Sequence, residues 1–159
     1  MHSFPVNRAS MSLNTTTAPM LIRVGLYKLF SLFQNLPPNF IVRPSVPQQR
    51  LLEHVDLFIT HAGMNSVNES ICCGVPMLLL PHHFEQQLIA NRVQELGMGV
   101  VRDIKKIKSP ALLRSVHSIL SDASYRNQAL AYQSIFSQAE KVSHIKAADA
   151  IIGYLESRQ

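Results

Sequence analysis

Cysteine is scarce in this sequence: two occur in 159 residues, and they are adjacent at Cys72-Cys73. Neighbouring residues point to different sides of a helix and a vicinal disulfide is strained, so the pair reads as buried apolar filler in a reducing compartment. No C-x-x-C spacing occurs, and His61, His82 and His83 make an incomplete zinc ligand set. Charge is sparse as well. Charged residues make up 16% against a hydrophobic share of 47%, which argues against wholesale disorder and leaves enough apolar surface for one domain with a core. The formal charge is +5, yet Arg43, Arg50, Arg92 and Arg102 fall in different segments. Only Lys105, Lys106 and Lys108 gather, in what reads as a solvated loop, so a nucleic-acid surface has little support. Long apolar runs are missing too. No apolar core follows a basic start near Met1, so no signal peptide is read there.

What is present changes character along the chain. Residues 1–18 are polar, rich in Ser, Thr and Asn, and without periodicity, which predicts a disordered or loosely packed tail. From Pro19 to Leu36 apolar residues recur at Leu21, Ile22, Val24, Leu26, Leu29, Phe30, Leu32, Phe33 and Leu36. That pattern predicts an amphipathic helix with a wide apolar face. Arg23 and Lys28 interrupt it, and it falls short of the ~20 apolar residues of a membrane span. It packs on its own domain in the simplest reading; contact with a membrane surface or a partner chain is the other. Pro37-Pro38 end it.

From Asn39 onward strands and helices alternate. Phe40-Ile41-Val42 reads as a strand, followed by a helix from Gln48 to His54. Val55–Thr60 is a second strand, Asn65–Cys73 a helix, and Met77–Leu80 a third strand behind the turn Gly74-Val75-Pro76. A helix over Glu85–Leu96 carries Leu88, Ile89, Val93 and Leu96 on one face, and Gly97-Met98-Gly99 leads into a last strand at Val100-Val101. Ser109-Pro110 reads as a cap opening the helix Ala111–Leu120, and helical patterns over Ala123–Phe136 and His144–Leu155 finish the chain. Repeated βα units predict an α/β fold: a Rossmann-like parallel sheet with helices on both faces.

Ligands of such sheets sit at the carboxyl ends of the strands. Three polar segments fall there: Val46-Pro47-Gln48, His61–Ser66 and His82–Gln86. The second has the chemistry of an anion cradle. A strand ends in a tight turn at Gly63, and a helix opens with Asn65 or Ser66 at its cap, which presents backbone N–H groups and the positive end of a helix dipole. His61 adds a ring donor and Ser66 a hydroxyl. Glu69, about one turn further along, is placed to accept two vicinal hydroxyls of a ribose whose phosphates sit on the helix start. Glu85 and Gln86 offer a carboxylate beside an amide, a pairing suited to sugar hydroxyls, although Glu85 also complements its helix dipole.

Taken together, residues 39–157 resemble the C-terminal, donor-binding domain of the UDP-dependent glycosyltransferases, closest to the macrolide- and antibiotic-glycosylating type. The resemblance rests on Val46-Pro47-Gln48, on His61-Ala62-Gly63-Met64-Asn65-Ser66 continued by Glu69, and on Pro81 followed by Glu85-Gln86. It implies one half of a GT-B enzyme. In that reading Gln48 lies against uracil, His61 and the turn from Gly63 through Asn65 to Ser66 hold the pyrophosphate, Glu69 takes the ribose, and Glu85 with Gln86 bind the sugar. No metal or cofactor is implied beyond the UDP-sugar donor. His82 and His83 match no role.

The family's acceptor domain, with its histidine base, has no counterpart in residues 1–38, so the chain reads as truncated. The first two strands of the donor domain are also missing from the pattern, their place being taken by the helix Pro19–Leu36. The expected gap closes if Phe40–Val42 pairs directly with Val55–Thr60 or if a partner chain fills it; otherwise the chain is marginally stable. Three functions follow. The chain is the donor half of a hexosyl transferase acting with inversion beside an acceptor-domain subunit. Or it is a non-catalytic uridine-nucleotide module that binds or regulates a full-length transferase. Or it is an inactive product that keeps the motifs by descent. A cytoplasmic location is expected, with peripheral membrane contact through Pro19–Leu36 as the alternative.

Overall fold

The computed structural model describes residues 20–23, 39–43, 45–107 and 109–156. They belong to two compact units, divided between His54 and Val55, inside the range 39–157 expected to form one domain. The predicted tail, 1–18, lies outside the described residues.

In the first unit, strand β1 (Met20–Arg23) pairs in parallel with β2 (Phe40–Arg43), Met20 opposite Phe40 and Arg23 opposite Arg43, and helix α1 (Gln48–Leu52) follows. This corrects the helix expected over Pro19–Leu36: its first described residues, Met-Leu-Ile-Arg, are strand, and Val24–Leu36 lies outside the described residues. Four apolar-rich residues satisfy a helical and an extended period equally, and here the parallel ladder decides. A strand therefore stands upstream of Phe40, where the sequence pattern offered none. The ladder partner of β2 is β1, not the strand at Val55–Thr60.

The second unit is a three-stranded parallel sheet in the order β3 (Phe58–Thr60), β4 (Met77–Leu79), β5 (Gly99–Val101). Between them run α2 (Met64–Cys72) and α3 (Phe84–Glu95), and after them α4 (Ser109–Ser121) and α5 (Ala123–Glu156). The central strand is buried on both faces, as a parallel sheet requires. Met77 and Leu79 point into a core built with Val67 and Ile71 of α2 and Ala90 and Val93 of α3. Leu78, one residue out of phase, points to the opposite face against Val100 and Ile119 of α4. Helices thus cover both sides of the sheet, as expected.

Both crossovers end in the same device. Gly74 and Gly97 adopt φ of +63° and +73° just beyond α2 and α3. Their amides donate to Ile71 and Gln94, and the next amides, Val75 and Met98, donate to Ser70 and Val93. This doubly bonded stop requires a left-handed residue and delivers the chain into the next strand.

Three helical expectations are corrected. Leu88 is exposed, because at about 100° per residue it lies on the far side of α3 from Ala90, and the buried seam runs through Ala90 and Val93 with Ile89 and Leu96 beside it. Cys72 is exposed and Cys73 half-buried, since the buried face of α2 follows Val67, Ser70 and Ile71. The two last helices are one 34-residue helix, α5. The stretch Ser137–Ser143 between the two apolar patterns contains neither Gly nor Pro, so nothing interrupts it. Among the described residues no helix is long and apolar enough to cross a membrane.

Candidate functional site

Because β3, β4 and β5 are parallel neighbours, their carboxyl ends lie along one edge of the sheet. The ladder holds to the very end of β3, where Leu80 N–H donates to Thr60 O at 2.8 Å. There the chain turns sharply. Ala62 takes φ of +66°, the one non-glycine residue described with a left-handed backbone. Its amide donates to the buried Thr60 Oγ1 at 3.3 Å, and its methyl is fully buried against α2. The conformation costs about 1–2 kcal/mol, which burial of the methyl, worth about 0.8 kcal/mol, offsets in part. Thr60 is thus a site residue the sequence motif did not single out; the only signal was its position as the last strand residue.

The turn aims Gly63 and the start of α2 outward. Gly63 itself is the cap, with extended backbone (φ −65°, ψ 138°) and no side-chain cap bond. This corrects the expectation that Asn65 or Ser66 caps the helix: Met64 already has helical geometry, so Asn65 and Ser66 occupy the first turn. Val67 N–H donates to Gly63 O at 3.0 Å, which places Met64, Asn65 and Ser66 in the first turn, where helix amides point out along the axis. No acidic side chain stands in this first turn, and nothing there offsets the positive end of the dipole. The His61 ring folds back over Gly63: a methyl added to that glycine would sit 2.7 Å from His61 Nε2. His61, Met64 and Asn65 are exposed, Ser66 and Glu69 half-buried. The arrangement suits a ligand anion lying on Gly63 between the ring and the helix start.

At the end of β4, Pro81 leads through His82 and His83 into α3, with His83 as its extended cap. Glu85 stands exposed in the first turn. Gln86, half-buried, turns its Oε1 back to accept from His82 N–H at 2.9 Å. Its carboxamide is therefore oriented by backbone. The exposed rings of His82 and His83 lie 6.4 Å apart at a tilt of 46°. Gln48 opens α1 in the first unit and is half-buried.

The end of β5 differs. Asp103 accepts from Lys105 N–H at 2.9 Å and pairs with Lys106 Nζ at 3.5 Å. The Lys105 amide above all holds its carboxyl below the usual range. This loop closes on itself. Among the described residues no three His, Cys, Asp or Glu side chains gather as a metal would need.

The second unit is thus a parallel α/β sheet that carries polar segments, His61–Ser66 and His82–Gln86, at two neighbouring strand ends. Comparison with known proteins narrows this description. The family model described as "UDP-glucoronosyl and UDP-glucosyl transferase" matches residues 15–149, and the chain belongs to that family. It is 45% identical over 89 residues to NDP-glycosyltransferase YjiC of Bacillus subtilis (strain 168), covering 56% of this chain and 23% of that protein. It is 36% identical over 103 residues to UDP-glucuronosyltransferase 1A9 of Homo sapiens, covering 64% and 19%. The chain thus spans about a quarter or less of these relatives' length. Among solved structures, the glycotransferase of kitacinnamycin superposes with a TM-score of 0.69 at 29% identity over 73% of this chain and 30% of that one. UDP-glucose: anthocyanidin 3-O-glucosyltransferase in complex with UDP gives 0.68 at 28% identity, over 80% and 31%. The fold is that of GT-B glycosyltransferases.

Proposed function

We propose that this chain is the donor-binding half of a UDP-sugar-dependent glycosyltransferase. The observation that carries the reading is the pairing of two neighbouring strand ends: the His61–Ser66 turn after β3 and the Glu85–Gln86 pair after β4. The pyrophosphate lies on Gly63 and the start of α2 at Asn65 and Ser66, with His61 alongside. Glu69 takes the ribose hydroxyls. Glu85 and Gln86 receive the hexose hydroxyls. No metal or further cofactor takes part.

In the reaction, an acceptor hydroxyl attacks the anomeric carbon from the face opposite the leaving UDP, so the new C–O bond forms as the old one breaks and configuration inverts. Negative charge grows on the β-phosphate, and His61 with the start of α2 meets it with donors already in place. The base that removes the acceptor proton comes from an acceptor domain outside this chain. A second reading is a uridine-nucleotide-binding module without turnover, for which the same two strand ends suffice.

Thermal unfolding of the full chain with increasing UDP tests the binding that both readings share. The midpoint rises with UDP in the wild type, and His61→Ala and Glu69→Ala lose that rise. An unfolding midpoint indifferent to UDP up to millimolar concentration overturns it. Supplying an acceptor domain then separates the two readings by whether sugar is transferred.

A further inference from the structure

Among the described residues three polar side chains are buried: Thr60, Ser70 and Ser115. Ser70 and Ser115 donate to Val75 O and Ala111 O, within or just beyond their own helices. Thr60 differs, because its hydroxyl accepts, and what it accepts is the amide of Ala62 in the turn that carries His61. Thr60 itself is fixed: its carbonyl holds the Leu80 amide at 2.8 Å, at the last rung between β3 and β4. A branched side chain in a strand has few χ1 rotamers, so Oγ1 is a stationary acceptor. A hydroxyl that accepts from the amide two residues ahead closes a turn in place of a backbone carbonyl.

Ala62 is the second fixed point. Its methyl is fully buried with Val67 and Ile71 of α2, and its amide lies 3.3 Å from Thr60 Oγ1. His61 stands between these two anchors with its side chain exposed, so the backbone on either side directs the ring. That direction is definite. From the point where a β-carbon would sit on Gly63, Nε2 is 2.7 Å away and the flanking Cδ2 and Cε1 are each 3.5 Å away. The Nε2 apex therefore points at the glycine, and is the atom an anion on Gly63 would meet. Burial of the Ala62 methyl offsets only part of the cost of its φ of +66°. Without a further hold the residue would return to negative φ and swing the chain between β3 and Gly63. We infer that Thr60 is a positioning residue of the donor site: its hydroxyl keeps Ala62 left-handed, and so keeps His61 Nε2 over Gly63. Its effect on UDP rests on the donor-binding reading above; the ring position is independent of that reading.

The test uses the full chain with Thr60→Val, Thr60→Ser and Thr60→Val/Ala62→Gly, since glycine takes positive φ without support. Calorimetry gives the UDP affinity. NMR gives the His61 Cε1–H resonance in UDP-free protein, assigned by its absence from His61→Ala. Thr60→Val weakens UDP by about tenfold or more, the scale of one hydrogen bond to a charged group, and shifts the ring resonance. Thr60→Ser, which keeps the acceptor, leaves both at wild-type values. Thr60→Val/Ala62→Gly recovers both, although loss of the buried methyl lowers its unfolding midpoint. A general loss of stability would not be undone by a second destabilising change. If Thr60→Val fails to fold, Thr60→Ala takes its place with the same expectations. In that variant an unmoved ring resonance overturns the inference, as does undiminished UDP affinity, or a loss that Ala62→Gly does not recover. A wild-type chain that ignores UDP overturns the donor-binding reading instead, and the ring resonances of the UDP-free variants still decide the role of Thr60.

Discussion

His61 and Gly63 share one small space: the ring lies so close over the glycine that an added methyl would come within 2.7 Å of Nε2. The backbone of Gly63, at φ −65° and ψ 138°, is open to any residue. Glycine is required there by the neighbouring ring, and by whatever ligand the ring faces, rather than by the fold. Gly63→Ala should therefore cost only the difference between glycine and alanine at a helix N-cap, about 1 kcal/mol, while displacing the ring and blocking close approach to the helix start. UDP affinity should fall by about tenfold or more, the worth of one charge-assisted hydrogen bond. Denaturant melts and a UDP titration of the same protein check both halves; a stable variant with undiminished affinity would contradict it.

Gly74 is the opposite case. Its φ is +63°, and a methyl there would meet Leu130 Cδ2 and Gln133 Oε1, each at 2.8 Å. The same glutamine donates to Cys72 O at 2.8 Å, tying α5 to the end of α2. Gly74→Ala is expected to cost more than the ~1–2 kcal/mol of the left-handed backbone alone. At Gly97, φ is +73° but the nearest atom, Gln128 Cγ, is 3.4 Å away. Gly97→Ala should then show the backbone cost without the clash. Urea unfolding of the two variants gives the order directly, with Gly74→Ala the less stable.

These glycines explain why much of the second unit was legible from sequence. Gly74 and Gly97 each close a helix and open an apolar run, so the βα rhythm is written in residues with one conformational meaning. The turn after β3 was legible as a strand end leading into a helix, but its cap was not, since Gly63 takes that place rather than Asn65 or Ser66. Other features were not. Met20–Arg23 is too short for its apolar pattern to separate strand from helix, and its ladder partner lies some twenty residues on. The unity of α5 rests on the absence of a breaker between two apolar patterns, which periodicity overlooks. Nor does sequence show that Gln86 spends one end of its amide on His82, or that Thr60 supports Ala62, because both depend on how a turn closes.

Gln86 and Glu85 should separate under mutation. Gln86 holds the His82 amide at 2.9 Å, so Gln86→Ala should cost stability, about 0.5–1.5 kcal/mol for a hydrogen bond, as well as donor binding. Glu85 is exposed, and Glu85→Gln should cost no more than the ~0.3–1 kcal/mol of its helix-dipole contribution while weakening UDP-hexose relative to UDP. Calorimetric titration with UDP and with UDP-glucose, beside thermal melts, tests the split. Equal losses for the two ligands in Glu85→Gln would remove Glu85 from the sugar site.

Acid sensitivity should concentrate at the start of α5. Asp122, directly before Ala123, accepts from Ser124 N–H at 2.9 Å. Hydrogen bonds from the Ser124 side chain, then from its amide, hold the Asp122 carboxyl below its ordinary value of 3.8. A carboxyl whose pKa is lower in the folded chain favours folding in its ionised form. Its contribution is complete above the unfolded value and drains away as pH falls through the folded one. The unfolding midpoint should thus hold steady above about pH 5 and decline below about pH 4. Asp103, lowered by the Lys105 amide, adds to the same limb. Asp122→Asn keeps an oxygen to accept from Ser124 but cannot titrate, so its midpoint should fall less steeply between pH 4 and pH 2 than that of the wild type, and Asp103→Asn should flatten the remainder. If the Asp122→Asn profile has the wild-type slope throughout that interval, the cap at α5 is not a source of the acid limb.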